Sequence, residues 1–343
     1  MSAKIKVSEA AESLHSSSLV IDSLEAAPMN PEHFVRLQRG GVDVVNYTCA
    51  RVTDDFSSAA LNVHSLLKLI EANPDKVLLV RDTSDIKTAH EENKIGLIAG
   101  FQNGTPIEDK IEYIELLHGM GVRVIQLTYN ERNRLGDGCV EAANGGLSRL
   151  GRRAVQEMNR IGMVVDVSHC GEQTSLDAIE MSSSPVLISH ANAKALCPSL
   201  RNKSDAVMDA LVENGGVMGV AFWGPMTYKD PDVRPVFEDF LDHVDYLVER
   251  MGVNHVGIGS DLGEGESREY YEAMFLRGGG LYPEITVDLG DWYSFDTRMV
   301  KGLGSAVAFP TVTEGLLKRG YSNDEIRKIL GENTLKVLKQ IIG

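Results

Sequence analysis

Eight short apolar runs rich in Val and Ile, each followed by a longer amphipathic stretch, constrain this chain more than any other feature. They fall at residues 19–22, 42–48, 95–102, 123–129, 163–169, 186–190, 217–222 and 256–261. Near-continuous apolar strands are those buried on both faces, and regular alternation with helices marks βα units around a parallel sheet. Eight such units predict a (β/α)8 barrel, while a doubly wound open sheet gives a similar pattern at lower strand number. With 343 residues, 43% of them hydrophobic, and no Pro/Gly/Ser-rich linker or charge run, residues 1–343 read as one domain.

Several connecting segments are legible. Over 237–250 the apolar residues Phe240, Val244, Leu247 and Met251 form one stripe, and Asp239, Asp242 and Glu249 lie elsewhere, as a helix packed on a barrel requires. Residues 323–342 read as a closing helical segment, with Ser322 as N-cap and Glu325 completing a capping box. The stretch 262–310 is long, follows the last strand and contains the glycine run 278–280. Loops of that length are usually functional, which predicts a lid or pocket wall.

Thirty-four Lys and Arg against 49 Asp and Glu leave a net charge of -15, which disfavours nucleic acid and other polyanions and suits an uncharged or cationic small ligand. The N-terminal residues have no apolar core ahead of a cleavage site, and no stretch is apolar enough to span a bilayer, so the expectation is a cytoplasmic protein without a membrane partner. Cys49, Cys139, Cys170 and Cys197 are too widely spaced for a disulfide framework or a CxxC site and read as buried or idle thiols.

Side chains at the C-terminal ends of barrel strands converge on the mouth, where barrel active sites are built. The third run ends in Gly100-Phe101-Gln102-Asn103-Gly104 and the fourth in Gln126-Leu127-Thr128-Tyr129-Asn130. The fifth, sixth and eighth end in His169, His190 and Asp261. Of nine histidines only these two terminate predicted strands. Imidazole and carboxylate together can hold a divalent cation and lower the pKa of its bound water. Taken singly, a strand-end His is more often a hydrogen-bonded pocket residue and an Asp more often a helix cap. Three together favour a metal or acid/base pocket without naming a reaction.

At these residues the chain resembles the membrane (renal-type) dipeptidase family, peptidase family M19, of the amidohydrolase superfamily. The resemblance rests on Val165-Asp166-Val167-Ser168-His169, on Ser189-His190 followed by Arg201-Asn202, and on Gly257-Ile258-Gly259-Ser260-Asp261, in matching order and at matching intervals. It extends from Asp22 to Gly331-Glu332-Asn333. It implies a (β/α)8 barrel with two zinc ions bridged by a carboxylate and water, cleaving dipeptides, including those with a C-terminal D-residue, and a dimeric assembly. Under it, His169 and His190 correspond to two ligands of one zinc, and Asp261 to the acid that touches the other and moves a proton. Arg201, with Asn202 beside it, corresponds to the receptor of the substrate carboxylate, a role suited to a planar charged fork.

Three departures from the family pattern stand out, the first of them covering two ligand positions. Where the family has Asp-Gly-His-x-Asp, this chain has Asp22-Ser23-Leu24-Glu25-Ala26, and neither Leu24 nor Ala26 binds metal. Gln102 replaces the bridging glutamate, and its neutral amide offers a weak oxygen ligand that cannot offset two dications. Tyr129 replaces a substrate-contacting histidine and reads equally as pocket wall or as an acid or oxyanion donor. The expected cofactor is therefore zinc or another divalent metal, one ion or none instead of two, on His169 and His190 with Asp261 or Gln102. Glu25 is one register from the inward face, which a bulge would correct. Asn130, Arg132 and Asn133 are further candidates for the pocket lining. Cys170 beside His169 points elsewhere, as neighbours at a strand end do.

Three functions fit these residues. The first is a metal-dependent hydrolase with a reduced metal site, acting on a dipeptide or other small amide-containing carboxylate, with Asp261 as base and Arg201 as carboxylate receptor. A metal-independent isomerase or lyase using His169, His190, Asp261 and Tyr129 for proton transfer is the second, and a non-catalytic binder of small carboxylates the third.

Overall fold

Every one of the eight Val/Ile runs forms a parallel strand in the structure, a computed structural model that describes residues 6–276 and 279–343. The strands are β1 (Ile21–Glu25), β2 (Val44–Thr48), β3 (Val77–Leu79), β4 (Ile95–Phe101), β5 (Val122–Gln126), β6 (Val164–Asp166), β7 (Leu187–Ile188), β8 (Val217–Val220) and β9 (Val256–Ile258). Their order is β2-β1-β9-β8-β7-β6-β5-β4, and β2 pairs with β4 from Val44↔Gly96 to Thr48↔Gly100, which closes a barrel of eight. The chain thus adopts the (β/α)8 fold.

The short strand β3 is absent from the sequence reading. It pairs with Ile95, Gly96 and Leu97 of β4, while β5 takes Ala99, Gly100 and Phe101. Because β2 occupies the other edge of β4, β3 and β5 share one edge, and β3 lies outside the closed ring. Three residues are too few to register as a period, which explains the omission.

Alternation within the strands sorts their side chains into two layers. Ile21, Val44, Ile98, Val124, Val164, Leu187 and Val217 form one cluster with Val337 and Leu338 of the C-terminal helix Asn333–Ile341. Most of these begin their strands, so that helix stoppers the N-terminal end of the barrel. Their neighbours Val20, Val45, Leu97, Ile125, Val165, Ile188 and Met218 face the surrounding helices in the larger core. Each buried Val, Leu or Ile contributes about 1.5–3 kcal/mol, and closing one end with apolar side chains leaves the other for chemistry.

The helix Phe237–Met251 buries Phe240, Val244, Leu247 and Met251 as its stripe predicts. Ser322 caps its helix and forms the capping box with Glu325. The closing segment is two helices, Asn323–Arg327 and Asn333–Ile341, joined by a π-helical turn over Lys328–Glu332. Gly331 sits in that turn, where a Cβ would lie 2.4 Å from the Leu19 carbonyl oxygen, so the bulge brings helix backbone against the entrance to β1. Of the 278–280 glycine run, Gly278 lies outside the described residues. Among the described residues no helix is long and apolar enough to cross a membrane, and all four cysteines are free.

Candidate active site

At the C-terminal ends of the strands lies a cleft of about 790 Å³, floored by Gln102, Tyr129, His169, Arg201 and Asp261. Four of these lie at the predicted strand ends, and Arg201 is the residue that the family resemblance adds. The expected wall is present too: Glu266, Tyr270, Tyr271, Phe275 and Arg298, all within 262–310, line the same cleft, and Ser267 caps the helix Arg268–Phe275 that carries three of them.

Two aspartates set the backbone at this mouth by the same device. The carboxylate of Asp166 accepts from the amide N–H of Ser168 at 3.0 Å and, across to the next strand, from that of Ser189 at 3.1 Å. The hydroxyls of both serines donate to it as well, at 2.6 and 2.5 Å. On the opposite side of the barrel Asp22 accepts from the N–H of Leu24 at 3.3 Å and of Ser260 at 2.7 Å, and from the Ser260 hydroxyl. Each aspartate bolts its own strand end to its neighbour's just before a candidate site residue, His169 and His190 in one case, Asp261 in the other. Burial pushes both carboxyls above the usual carboxylate range, against the pull of these hydrogen bonds.

His169 and His190 are buried, with Nε2 atoms 2.9 Å apart. His169 Nδ1 lies 2.7 Å from Asn130 Oδ1, and His190 Nδ1 lies 2.8 Å from Ser189 Oγ. Facing a carbonyl oxygen, His169 Nδ1 carries its proton, which leaves the Nε2 lone pair toward His190. The Tyr129 ring stacks on His169 at 4.0 Å between centroids. Burial first, then the charges of Arg201 and Lys203, hold both imidazoles well below their ordinary pKa, so they are neutral at pH 7.

Arg201 is 1% exposed. Its Nη1 donates to the Ser168 carbonyl at 2.7 Å, while Nη2 is buried without a hydrogen-bond partner. A buried, unsatisfied guanidinium donor costs more than an ordinary unmade bond, and carboxylate is its natural complement. Asp261 has φ +55, keeps part of its surface open to the cleft, and is otherwise enclosed by protein. Enclosure pushes its carboxyl up to about 7, against the opposing charges of Arg201 and Arg298. Burial and the nearby Asp261 carboxylate raise the Tyr129 phenol well above its usual range, so it stays protonated.

Other predicted residues are not brought into the cleft. Asn202 spends its amide on the carbonyls of Cys197 and Met226 and on the N–H of Asn192, holding the loop that carries Arg201. Arg132 pairs with Asp137, Asn133 bonds to Asn103 and Leu127, and both face a separate depression. Asn130 acts behind His169. A bulge in β1 between Asp22 and Glu25 does occur, yet it delivers Glu25 to His33 Nε2 at 2.6 Å and not to the cleft. Cys170 accepts from Thr128 Oγ1 and burial raises its thiol, so it is no nucleophile.

The donor set does not fit a pair of zinc ions. Leu24 and Ala26 are apolar, the Gln102 amide lies 3.2 Å from His190 Nε2, and among the described residues no three His, Cys, Asp or Glu side chains converge as a metal group. His169 and His190 alone supply half of a tetrahedral set.

Sequence reasoning misses Glu266 and Arg298. Both sit in the non-periodic stretch after β9, where no pattern announces a pocket residue. Arg298 stacks on Phe295 and Tyr271 and donates from Nη2 to the Gly263 carbonyl at 2.7 Å, pinning the turn after Asp261.

The sequence profile of the membrane dipeptidase family (Peptidase family M19) matches residues 8–272 and 286–342. Dipeptidase tcpJ of Claviceps purpurea (strain 20.1) is 29% identical over 304 residues, covering 85% of this chain and 64% of the relative. Dipeptidase verJ of Clonostachys rogersoniana is 31% identical over 275 residues, covering 80% of this chain and 62% of the relative. The matches thus span less than two thirds of those two relatives. Among solved structures, an amidohydrolase from Pseudomonas aeruginosa superposes with a TM-score of 0.87 at 35% identity, covering 96% of this chain and 98% of that one. A metallo peptidase from Rhodobacter sphaeroides, liganded with a phosphinate mimic of L-Ala-D-Ala, shares the fold with a TM-score of 0.77 at 19% identity, covering 95% and 100%. The profile match over nearly all of the chain, together with the strand-end residues that carry it, shows that the protein belongs to the membrane dipeptidase family, peptidase family M19, within the amidohydrolase superfamily.

Proposed function

We propose that this chain is a hydrolase of small amides that carry a carboxylate, dipeptide-like in form, acting as one catalytic domain. The observation that carries the reading is Arg201, a fully buried guanidinium whose Nη2 has no partner at the floor of a cleft it shares with Asp261. Arg201 receives the substrate carboxylate as a charge-assisted hydrogen bond and so fixes the scissile carbonyl near the strand ends. Ionised Asp261 takes a proton from the attacking water, whose oxygen bonds to the carbonyl carbon. Asp261 then delivers that proton to the nitrogen as the C–N bond breaks. The neutral phenol of Tyr129 is suited to donate to the carbonyl oxygen as charge develops on it.

The test is turnover of a panel of dipeptides, including ones ending in a D-residue, by the wild-type chain and by Arg201→Lys. A lysine ammonium cannot bond the Ser168 carbonyl and a substrate carboxylate in the same planar fork, so KM should rise about tenfold or more. Equal KM values in the two proteins would remove Arg201 from substrate binding. Stabilisation of the protein by dipeptides with no turnover would identify a binder instead.

A second reading, a metal-independent isomerase or lyase, is supported by the acid/base groups Asp166, Ser189, His190 and His169, which follow one another within hydrogen-bonding distance. Release of free amine from an amide substrate decides against it.

A further inference from the structure

The cleft is lined by charges of both signs. Arg201 contributes its unpartnered Nη2. Toward the wall after β9 stands Glu266, whose carboxylate makes no hydrogen bond and no ion pair among the described residues, although it lines the same cleft and is more enclosed than exposed. Burial pushes this carboxyl up to about 7, and the nearby Asp261 carboxylate raises it further against the charge of Arg298.

Arg298 is the cation that would ordinarily complete such a carboxylate. Its Nη2 is spent on the Gly263 carbonyl and its Nη1 on that of Phe295, and its plane lies against two aromatic rings. No ion pair between Arg298 and Glu266 is formed. Two carboxylates, Asp261 and Glu266, therefore face one cavity without a bonded counter-charge, an arrangement that a cation from outside relieves.

We infer that Glu266 is the specificity-determining receptor for the protonated amino end of a zwitterionic substrate whose carboxylate lies on Arg201. This deepens the hydrolase reading and rests on it for the role of Arg201. Asp261, at the end of β9 beside Tyr129 and Arg201, stays with the reacting bond, and Glu266, five residues on in the wall of the same cleft, takes the ammonium. An amine-bearing ligand then lowers the Glu266 pKa on binding, as any opposite charge does.

The experiment is calorimetric binding at pH 7.5 of two uncleavable ligands of equal length, 5-aminopentanoate and hexanoate, which differ by ammonium against methyl. Wild-type protein should bind 5-aminopentanoate roughly tenfold or more tightly than hexanoate, the size expected for a charge-assisted hydrogen bond. In Glu266→Gln that preference should shrink below about threefold by the loss of the same bond. Equal affinities in the wild type, or a preference retained in Glu266→Gln, overturn the assignment while leaving carboxylate binding at Arg201 intact. Failure of the wild type to bind either ligand overturns both this assignment and the reading beneath it. Glu266→Asp, which keeps the charge, should recover part of the preference, separating loss of the carboxylate from loss of local structure.

Discussion

The Nε2 atoms of His169 and His190 face one another across 2.9 Å, and each ring is engaged from behind, His169 by Asn130 and His190 by Ser189. Outer hydrogen bonds of this kind orient imidazoles that act as metal ligands. Two imidazoles nevertheless fall short of the three protein ligands that a catalytic zinc takes. Zinc-loaded protein, desalted and assayed by elemental analysis, should retain at most one ion per chain, and the double variant His169→Ala/His190→Ala none. Two tightly held ions would show that the substitutions at Leu24, Ala26 and Gln102 do not limit the site.

The pH dependence of activity follows from Asp261. Its carboxyl is pushed up to about 7 by burial, so the base is largely protonated in mildly acidic solution. The value of kcat/KM should fall about tenfold per unit below that pH and level off above it. Asp261→Asn, which cannot accept the proton, should lose about 10²–10⁴-fold and with it the acidic limb. A variant that keeps both would exclude Asp261 as the base.

The same two cleft carboxyls shape stability. Asp261 and Glu266 both have folded pKa values of about 7, well above ordinary carboxylates. Between the unfolded pKa near 4 and the folded value, the folded state binds more protons than the unfolded one. Each group therefore makes the protein progressively less stable as pH rises from about 4 to about 7. The buried histidines act in the opposite sense, because His169 and His190 resist protonation in the fold. The difference between variant and wild type isolates the carboxyls. Relative to wild type, Asp261→Asn and Glu266→Gln should each gain thermal stability from pH 4 to pH 7 and level off above. A Tm difference that does not vary with pH would show that neither carboxyl is held up by its surroundings.

What could be read from the sequence divides along physical lines. The barrel strands were legible because burial on both faces writes itself as Val/Ile runs, and the floor of the cleft because barrel geometry sends strand-end residues such as His169 and Asp261 there. The roles of Asn202 and Glu25 were not. Asn202 follows Arg201 directly, yet its amide meets three backbone groups that only the folded loop assembles. Glu25 is turned by a bulge, as proposed, but its partner His33 lies on a helix whose approach no period encodes. Glu266 and Arg298 escaped because the first lies just ahead of a short helix and the second in a loop, positions that no period marks.

The glycines of Gly257-Ile258-Gly259-Ser260-Asp261 explain why that motif accompanies the site. A Cβ on Gly259 would stand 1.7 Å from the Ser189 carbonyl oxygen and 3.3 Å from His190 Cα, and one on Gly219 would stand 2.2 Å from the same oxygen. Gly219 in β8 and Gly259 just after β9 therefore both pack against the Ser189 carbonyl, at the residue before His190. Neither contact involves a flexible side chain that could yield, so the backbone itself must move. Gly259→Ala should destabilise the fold by about 3 kcal/mol or more, in the range of severe overpacking. Where folded protein is recovered, the shift falls on the segment linking His190 to Asp261, and turnover should drop further than in a surface control such as Gly119→Ala, where the backbone is helical and a Cβ meets nothing within 4 Å. Denaturant unfolding and kcat on the two variants check this, and a Gly259→Ala protein as stable and active as wild type would show that the mouth does not depend on that close approach.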